Sequence, residues 1–302
     1  MYSGFLKQRP GYLKDPRNFQ SFALFSLLIF GVSQRAFDIT LSHTILIFTT
    51  ACSIQWLGSL LIASKVDFKS PLITSLSLTL LLRADQAWPL ALAAAIAIGS
   101  KFLFRLNGKH VFNPANIGIV AMLLFTDAVW TTPGQWGSAV WLAAIMAGAG
   151  LFVVYRAARI DVPLIFLGTF AALILGRALW LGDPLAIPLL RLQNGALILF
   201  AFFMISDPKT TPDGPYARTA FCMFSAILAY VLSYHFFIAD ALFYSLAIMC
   251  LIRPALEFFN PADKYKWGDK PNNKRQPSTK ISKPISLPHP FTLQASNKGE
   301  LP

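Results

Sequence analysis

The chain has 302 residues, of which 55% are hydrophobic and only 13% charged, and its mean hydropathy is +0.54. A soluble domain carries roughly 25% charged residues, so this balance excludes one and gives an all-α polytopic protein whose first partner is the lipid bilayer. The formal charge of +12 then reads as topology information, and no nucleic-acid partner is expected.

Residues 1–18 are polar and basic, without a charged-then-apolar cleavage pattern, and are expected to be a cytoplasmic segment with no removable signal peptide. The transmembrane domain is expected over residues 19–259. Its first half, about 19–130, holds apolar segments Phe19–Ser33, Leu41–Ser64, Pro71–Leu82, Trp88–Phe104 and Val111–Trp130. The second half, about 138–259, holds Ser138–Val154, Val162–Trp180, Asn194–Ile205, Thr219–Phe236 and Ala241–Phe258. Residues 260–302 form a basic tail rich in Pro, Asn and Lys; without periodicity, it is expected to be disordered. With both termini in the cytoplasm, ten crossings put Lys65, Lys69, Lys101, Arg105, Lys109, Arg156, Arg159, Lys209 and Arg218 inside. The other loops hold mainly Arg35, Arg83 and Arg191, and this positive-inside bias fixes the expected orientation.

Two segments are too short to span. The apolar run Leu197–Ile205 stops at Ser206-Asp207-Pro208-Lys209, and Pro71–Leu82 stops at Arg83-Ala84-Asp85-Gln86. Nine helical residues rise only about 14 Å, under half of a hydrocarbon core of about 30 Å. Irregular backbone at membrane depth survives where protein buries it or where it lines a cavity. Breaks at matching places in two halves point to two inverted five-helix repeats with a site at their interface. Asp85 and Asp207 would be counterparts, and Ser206, Asp207, Lys209, Thr210 and Thr211 would line an ion or cofactor cavity. The plainer reading is a polar loop in which Asp207 and Lys209 pair with each other.

The run Asn107–Gly118, NGKHVFNPANIG, is the most unusual chemically. Gly108 permits a tight turn, Asn113 is a good helix cap, and Pro114 suits the first helical position. The helix N-terminus so formed suits an anion or phosphate, with Lys109 and His110 beside it. The plainer alternative makes Asn113 a cap and Lys109 an inside anchor. One Asn-Pro-Ala motif among ten segments does not match the paired motifs of six-span water channels. Cys52, Cys222 and Cys250 sit singly in apolar runs and the four histidines are scattered, so no metal site is expected. No nucleophile–base constellation is present, and no catalytic residue is assigned.

KHVFNPANIGIV, the TPGQWGS run, DPRNFQ at Asp15–Gln20 and FFMISDPKTTP together resemble the membrane-subunit family containing RnfD and NqrB. The resemblance covers residues 15 to about 260. It implies a fold similar to urea transporters and a subunit of an ion-pumping electron-transport complex in the inner (cytoplasmic) membrane, working with other membrane or redox subunits. The length also looks like the shorter UnbU-like relatives of enediyne gene clusters. Members of the pumping complexes carry FMN esterified to a threonine after the FNPA motif. Here the matching place is Asp127–Pro133, with Thr132 the candidate acceptor, although Trp130 and Thr131 depart from the family's small residues and one position is missing. Lys109, His110, Asn113 and Asn116, around the capped helix N-terminus, are the further candidates for cofactor binding. No GxGxxG run occurs, so nicotinamide chemistry would belong to other subunits. A second reading stays open, a small-solute transporter or channel without a redox cofactor. Whether the chain is itself an enzyme is left open.

Overall fold

A computed structural model describes residues 15–33, 39–106, 108–131 and 140–265. Thr132, the TPGQWGS run and the tail beyond residue 265 lie outside the described residues. Nearly all regular structure is helical: α1 Pro16–Ser33, α2 Leu41–Leu61, α3 Lys69–Leu81, α4 Ala87–Leu103, α5 Pro114–Phe125, α6 Val140–Arg156, α7 Asp161–Leu181, α8 Ala186–Leu192, α9 Gly195–Leu199, α10 Pro215–Tyr234 and α11 Ala241–Phe259. Four of these, α2, α7, α10 and α11, are long and apolar enough to cross a membrane; α8 with α9 and its continuation forms a fifth candidate, bent by 46°. Shorter apolar helices are α4, α5 and residues Ala144–Arg156. The chain is therefore a helical membrane protein.

Segment boundaries differ from expectation where local chemistry intervenes. The fifth apolar run yields a helix of only 12 residues, because Asn113 caps it and Thr126 turns extended after Phe125. Between the seventh and eighth expected segments the short run Ala186–Leu192, AIPLLRL, folds into α8. Four short strands form two antiparallel pairs. β1 (Leu82–Ala84) pairs with β4 (Val129–Thr131) in the register Leu82↔Thr131, Arg83↔Trp130, Ala84↔Val129. β2 (Arg105–Leu106) pairs with β3 (Lys109–His110). Gly108, at φ 81°, supplies the left-handed turn of that hairpin, a conformation an L side chain rarely adopts.

The helix α3 stops at Leu81, where Leu82 swings to extended backbone and starts β1. Every residue from Thr74 to Leu81 is buried, so the helix is enclosed on all sides and its Ser and Thr hydroxyls become core groups. The second break is of another kind. The five residues of α9 run into a π-helical turn, Phe200–Met204, and then into irregular backbone. A single π turn widens the hydrogen-bond ladder and is frequent at functional sites.

Packing follows small residues. Close neighbours are α4 with α5 and with α2, α10 with α11 and with α7, α1 with α3 and α6, α6 with α9, and α5 with α11. A Cβ added at Gly118 would stand 2.6 Å from the Ala93 carbonyl oxygen, so α5 and α4 approach at backbone distance. In lipid, where burial of apolar surface drives little, such close fit is the main source of helix association.

Candidate functional site

A cavity of about 230 Å³ opens where α1, α3, α4, the β2–β3 hairpin, α5 and the second break converge. From α3 come Ser70, Thr74 and Ser77; from the last turn of α4, Lys101; from the hairpin, Arg105 and His110. The N-terminus of α5 adds Asn113, Pro114 and Ala115, the π turn adds Phe203, and the loop beyond it adds Asp207 and Lys209. Arg17 and Gln20 of α1, with Asp67, close one side.

Local rules place these groups. Asn113 Oδ1 accepts the Asn116 N–H at 3.1 Å, and Pro114 needs no donor at the first helical position. The same cap ties α5 to the break, since Asn113 Nδ2 donates to the Met204 carbonyl at 3.2 Å. Asn116 Nδ2 donates to the Phe243 carbonyl at 3.0 Å, joining α5 to α11. After the π turn the chain closes on the Asp207 carbonyl, which accepts from the Thr210 and Thr211 backbones at 3.1 and 3.0 Å and from both hydroxyls. Ser206 Oγ donates to the Phe202 carbonyl. Ser206, Thr210 and Thr211 thus fold the loop, while Asp207 and Lys209 face the cavity.

Asp207 Oδ1 accepts the Lys209 N–H at 2.9 Å, and Oδ2 lies 3.7 Å from His110 Nε2, an ion-pair distance beyond hydrogen bonding. Burial alone would raise this carboxyl; the facing imidazole, the Lys209 N–H and the Lys209 charge outweigh it and hold Asp207 below its ordinary value. The plainer alternative, a pairing of the Asp207 and Lys209 side chains, is not what forms: Lys209 Nζ donates to the Tyr265 carbonyl at 3.1 Å.

Beside the cavity, ion pairs lock the loop to its neighbours. Lys109 Nζ lies 2.6 Å from Asp213 Oδ2 and 3.1 Å from Glu257 Oε1, and Arg159 Nη2 reaches Asp213 Oδ1 at 2.9 Å. Arg159 also sits 5.0 Å above the Tyr265 ring, and burial pushes that phenol up to about 12. Lys109 is therefore occupied in this network and does not line the cavity; Asn116 does not line it either. Asp85 is exposed at the end of β1, away from Asp207.

Sequence reasoning overlooked Arg253. It is 1% exposed within α11, and its Nη1 donates to the Lys209 carbonyl at 2.7 Å and the His110 carbonyl at 3.2 Å. One guanidinium thus fastens together the two loops that carry the His110–Asp207 pair. A lone arginine in the run LFYSLAIMCLIRP carries the signal, since ionisable groups in apolar segments are expensive and are retained for a purpose. Lys101 was read only as a topology charge; its Nζ donates to Gln55 Oε1 and Ser70 Oγ, both at 2.7 Å.

Known proteins resemble the part of the chain that contains the second break. Residues 124–266 match the model of the NQR2, RnfD, RnfE family. The D subunit of an ion-translocating oxidoreductase complex from Salmonella enteritidis is 28% identical over 140 residues, 45% of this chain and 38% of that relative. Its namesake from Escherichia coli O1:K1 is 28% identical over 126 residues, 41% of this chain and 34% of the relative. The matched region therefore spans little more than a third of each relative's length. Residues 124–266, which include the loop around Asp207, are thus similar to the NQR2, RnfD, RnfE family.

Proposed function

We propose that the protein is an integral membrane subunit of an electron-transport system of the RnfD/NqrB kind, carrying or contacting a flavin and coupling electron transfer to cation movement. The observation that carries this reading is the family match across the loop that bounds the cavity. The relatives are subunits of ion-translocating oxidoreductase complexes, so other membrane or redox subunits are the natural partners. An UnbU-like variant of that plan is part of the proposal and rests on the resemblance alone.

The ten-segment, inverted-repeat architecture belongs to the proposal. In its support, three pairings of the first five helices recur among their counterparts. α2 packs on α4 as α7 packs on α10, α4 on α5 as α10 on α11, and α1 on α3 as α6 on α9. α1 with α6, and α5 with α11, would then join the halves, residues 19–130 and 138–259. With residues 1–18 and 260–302 in the cytoplasm and the protein in the inner membrane, the cavity opens inward among the inside-facing cations.

The cavity suits part of a flavin. At about 230 Å³ it falls below the roughly 300–1,000 Å³ of pockets that enclose such ligands, so it would hold one end. Lys101, Arg105, His110 and Asn113 would bind polar atoms, Phe203 would offer an apolar wall, and Lys109 and Asn116 would position the loops. A bound flavin would supply one- and two-electron transfer. Asp207, beside Lys209, would line the route of a cation. Covalent FMN at Thr132 is a separate proposal resting on the resemblance. The alternative, passage of a small solute, draws on the buried hydroxyls of Thr74 and Ser77.

The test is the full chain coexpressed with a flavin transferase, purified, and read by denaturing-gel fluorescence, intact mass and absorbance of extractable flavin. A fluorescent band heavier by one FMN less water, lost in Thr132→Val, supports the covalent site; fluorescence retained in that variant moves attachment elsewhere. A colourless protein with no extractable flavin, which moves a small solute across liposomes, overturns the redox reading.

A further inference from the structure

We propose that the cavity is an oxyanion seat that takes one phosphate group, free or as the end of a phosphate ester, between Lys101, Arg105 and the N-terminus of α5. The proposal concerns the same cavity as the flavin reading but stands without a flavin.

Charge balance is the first support. Arg17, Lys101, Arg105 and Lys209 line the cavity against Asp67 and Asp207, a formal excess of two positive charges with His110 neutral. The carboxylates are already engaged: Asp67 pairs with Arg17 and accepts the Lys69 N–H at 3.1 Å, and Asp207 faces His110 and the Lys209 N–H. Lys101 has only the neutral oxygens of Gln55 and Ser70 around its ammonium among the described residues. Asp67 and Asp207 act on that charge only from a distance, and a buried cation with no carboxylate in contact leaves room for a ligand to supply one. Arg105 is exposed at the rim, and its side chain makes no hydrogen bond or ion pair with the described residues.

Unused donors are the second, independent support. Thr74 and Ser77 line the cavity at 4% and 5% exposure, and neither hydroxyl has a hydrogen-bond partner among the described residues. At the start of α5, Asn113 satisfies the Asn116 N–H by its side chain and the Ile117 N–H by its carbonyl. The Ala115 N–H, in a residue that lines the cavity, is left over at the positive end of a 12-residue helix. Ammonium, guanidinium fork, two hydroxyls and a backbone N–H are donors spread around one space, which suits a tetrahedral oxyanion with several acceptor oxygens.

Calorimetry on the detergent-solubilised full chain, titrated with inorganic phosphate at fixed ionic strength, tests the seat. The expected result is saturable binding that weakens about tenfold or more in Lys101→Gln and in Arg105→Gln. The Arg105 side chain makes no internal bond, so its variant keeps the fold and stays informative if Lys101→Gln misfolds. Absence of saturable phosphate binding, or an unchanged affinity in Arg105→Gln together with a folded Lys101→Gln, overturns the proposal. FMN and riboflavin are then compared. FMN binding that phosphate displaces, with riboflavin bound at least tenfold more weakly, identifies a phosphate ester as the occupant. Phosphate binding with neither flavin bound upholds the seat and removes the flavin contact. Equal binding of both flavins, unmoved by phosphate that itself binds, upholds the seat and places the flavin outside it.

Discussion

The two interrupted segments of this chain read alike in sequence and fold differently. The first, at the end of α3, passes into β1, which pairs with β4; its acidic residue Asp85 ends up exposed. The second passes through a π turn into a loop whose backbone closes on itself around the Asp207 carbonyl and whose side chains meet His110, Lys109, Arg159 and Tyr265. A strand can satisfy broken backbone by pairing with another strand, leaving its side chains little constrained. A loop must recruit side chains from other elements, and that recruitment gathers the polar groups of a site in one place.

Arg253→Met should break this contrast most severely. It removes the donor shared by the Lys209 and His110 carbonyls and leaves both facing an apolar side chain. Loss of buried, charge-assisted hydrogen bonds costs about 2–4 kcal/mol, and the unfolding temperature in detergent should fall by several degrees. An unchanged unfolding temperature would make the clamp incidental. Asp207→Asn should come next, at about 1–2 kcal/mol, since the Lys209 N–H keeps an acceptor while the charge facing His110 is lost. On the proposed redox reading, reconstituted electron-transfer activity should drop with it. Asp85→Asn, at the other break, should stay within about 0.5 kcal/mol and leave activity intact. Equal effects at Asp85 and Asp207 would restore the symmetry that the sequence suggested.

Much of the helical plan was legible because it is written in apolar runs, which need no partner to be recognised: α2, α7, α10 and α11 follow them closely. The cap at Asn113 and the break after Met204 were legible too, because Asn-Pro and a proline-rich turn are local chemistry. The site was legible only in pieces. Asp207 and His110 were named from sequence, and the structure brings them to one cavity. Lys101 and Arg253 escaped, because their roles depend on which loops their long side chains reach across the fold. Lys109 was assigned to a ligand and is held by Asp213 and Glu257, residues far away in sequence. The π turn escaped because it is one extra residue in a ladder of hydrogen bonds, which leaves no mark on hydropathy.

One further effect is expected beside the cavity, and it depends on pH. Asp15 precedes α1, accepts from the Arg17 backbone and guanidinium, and pairs with Lys69 Nζ at 2.9 Å, bridging the starts of α1 and α3. Burial would raise its carboxyl, but these bonds to Arg17 and Lys69 win and bring it to about 2. A depressed carboxylate stabilises the fold fully above its unfolded value near 4, and the contribution drains away as pH falls from about 4 towards about 2. Discounted for solvent screening at this partly exposed position, it is worth about 1 kcal/mol at neutral pH. Asp15→Asn should therefore lower the unfolding temperature at pH 7, and the gap to the parent chain should narrow as the pH is taken below 4. The variant should leave phosphate affinity nearly unchanged, because Arg17 keeps Asp67 as a partner. A gap of undiminished size at pH 2.5 would mean that Asp15 acts through its shape alone, as a cap for α1, and that its charge contributes nothing to holding α1 against α3.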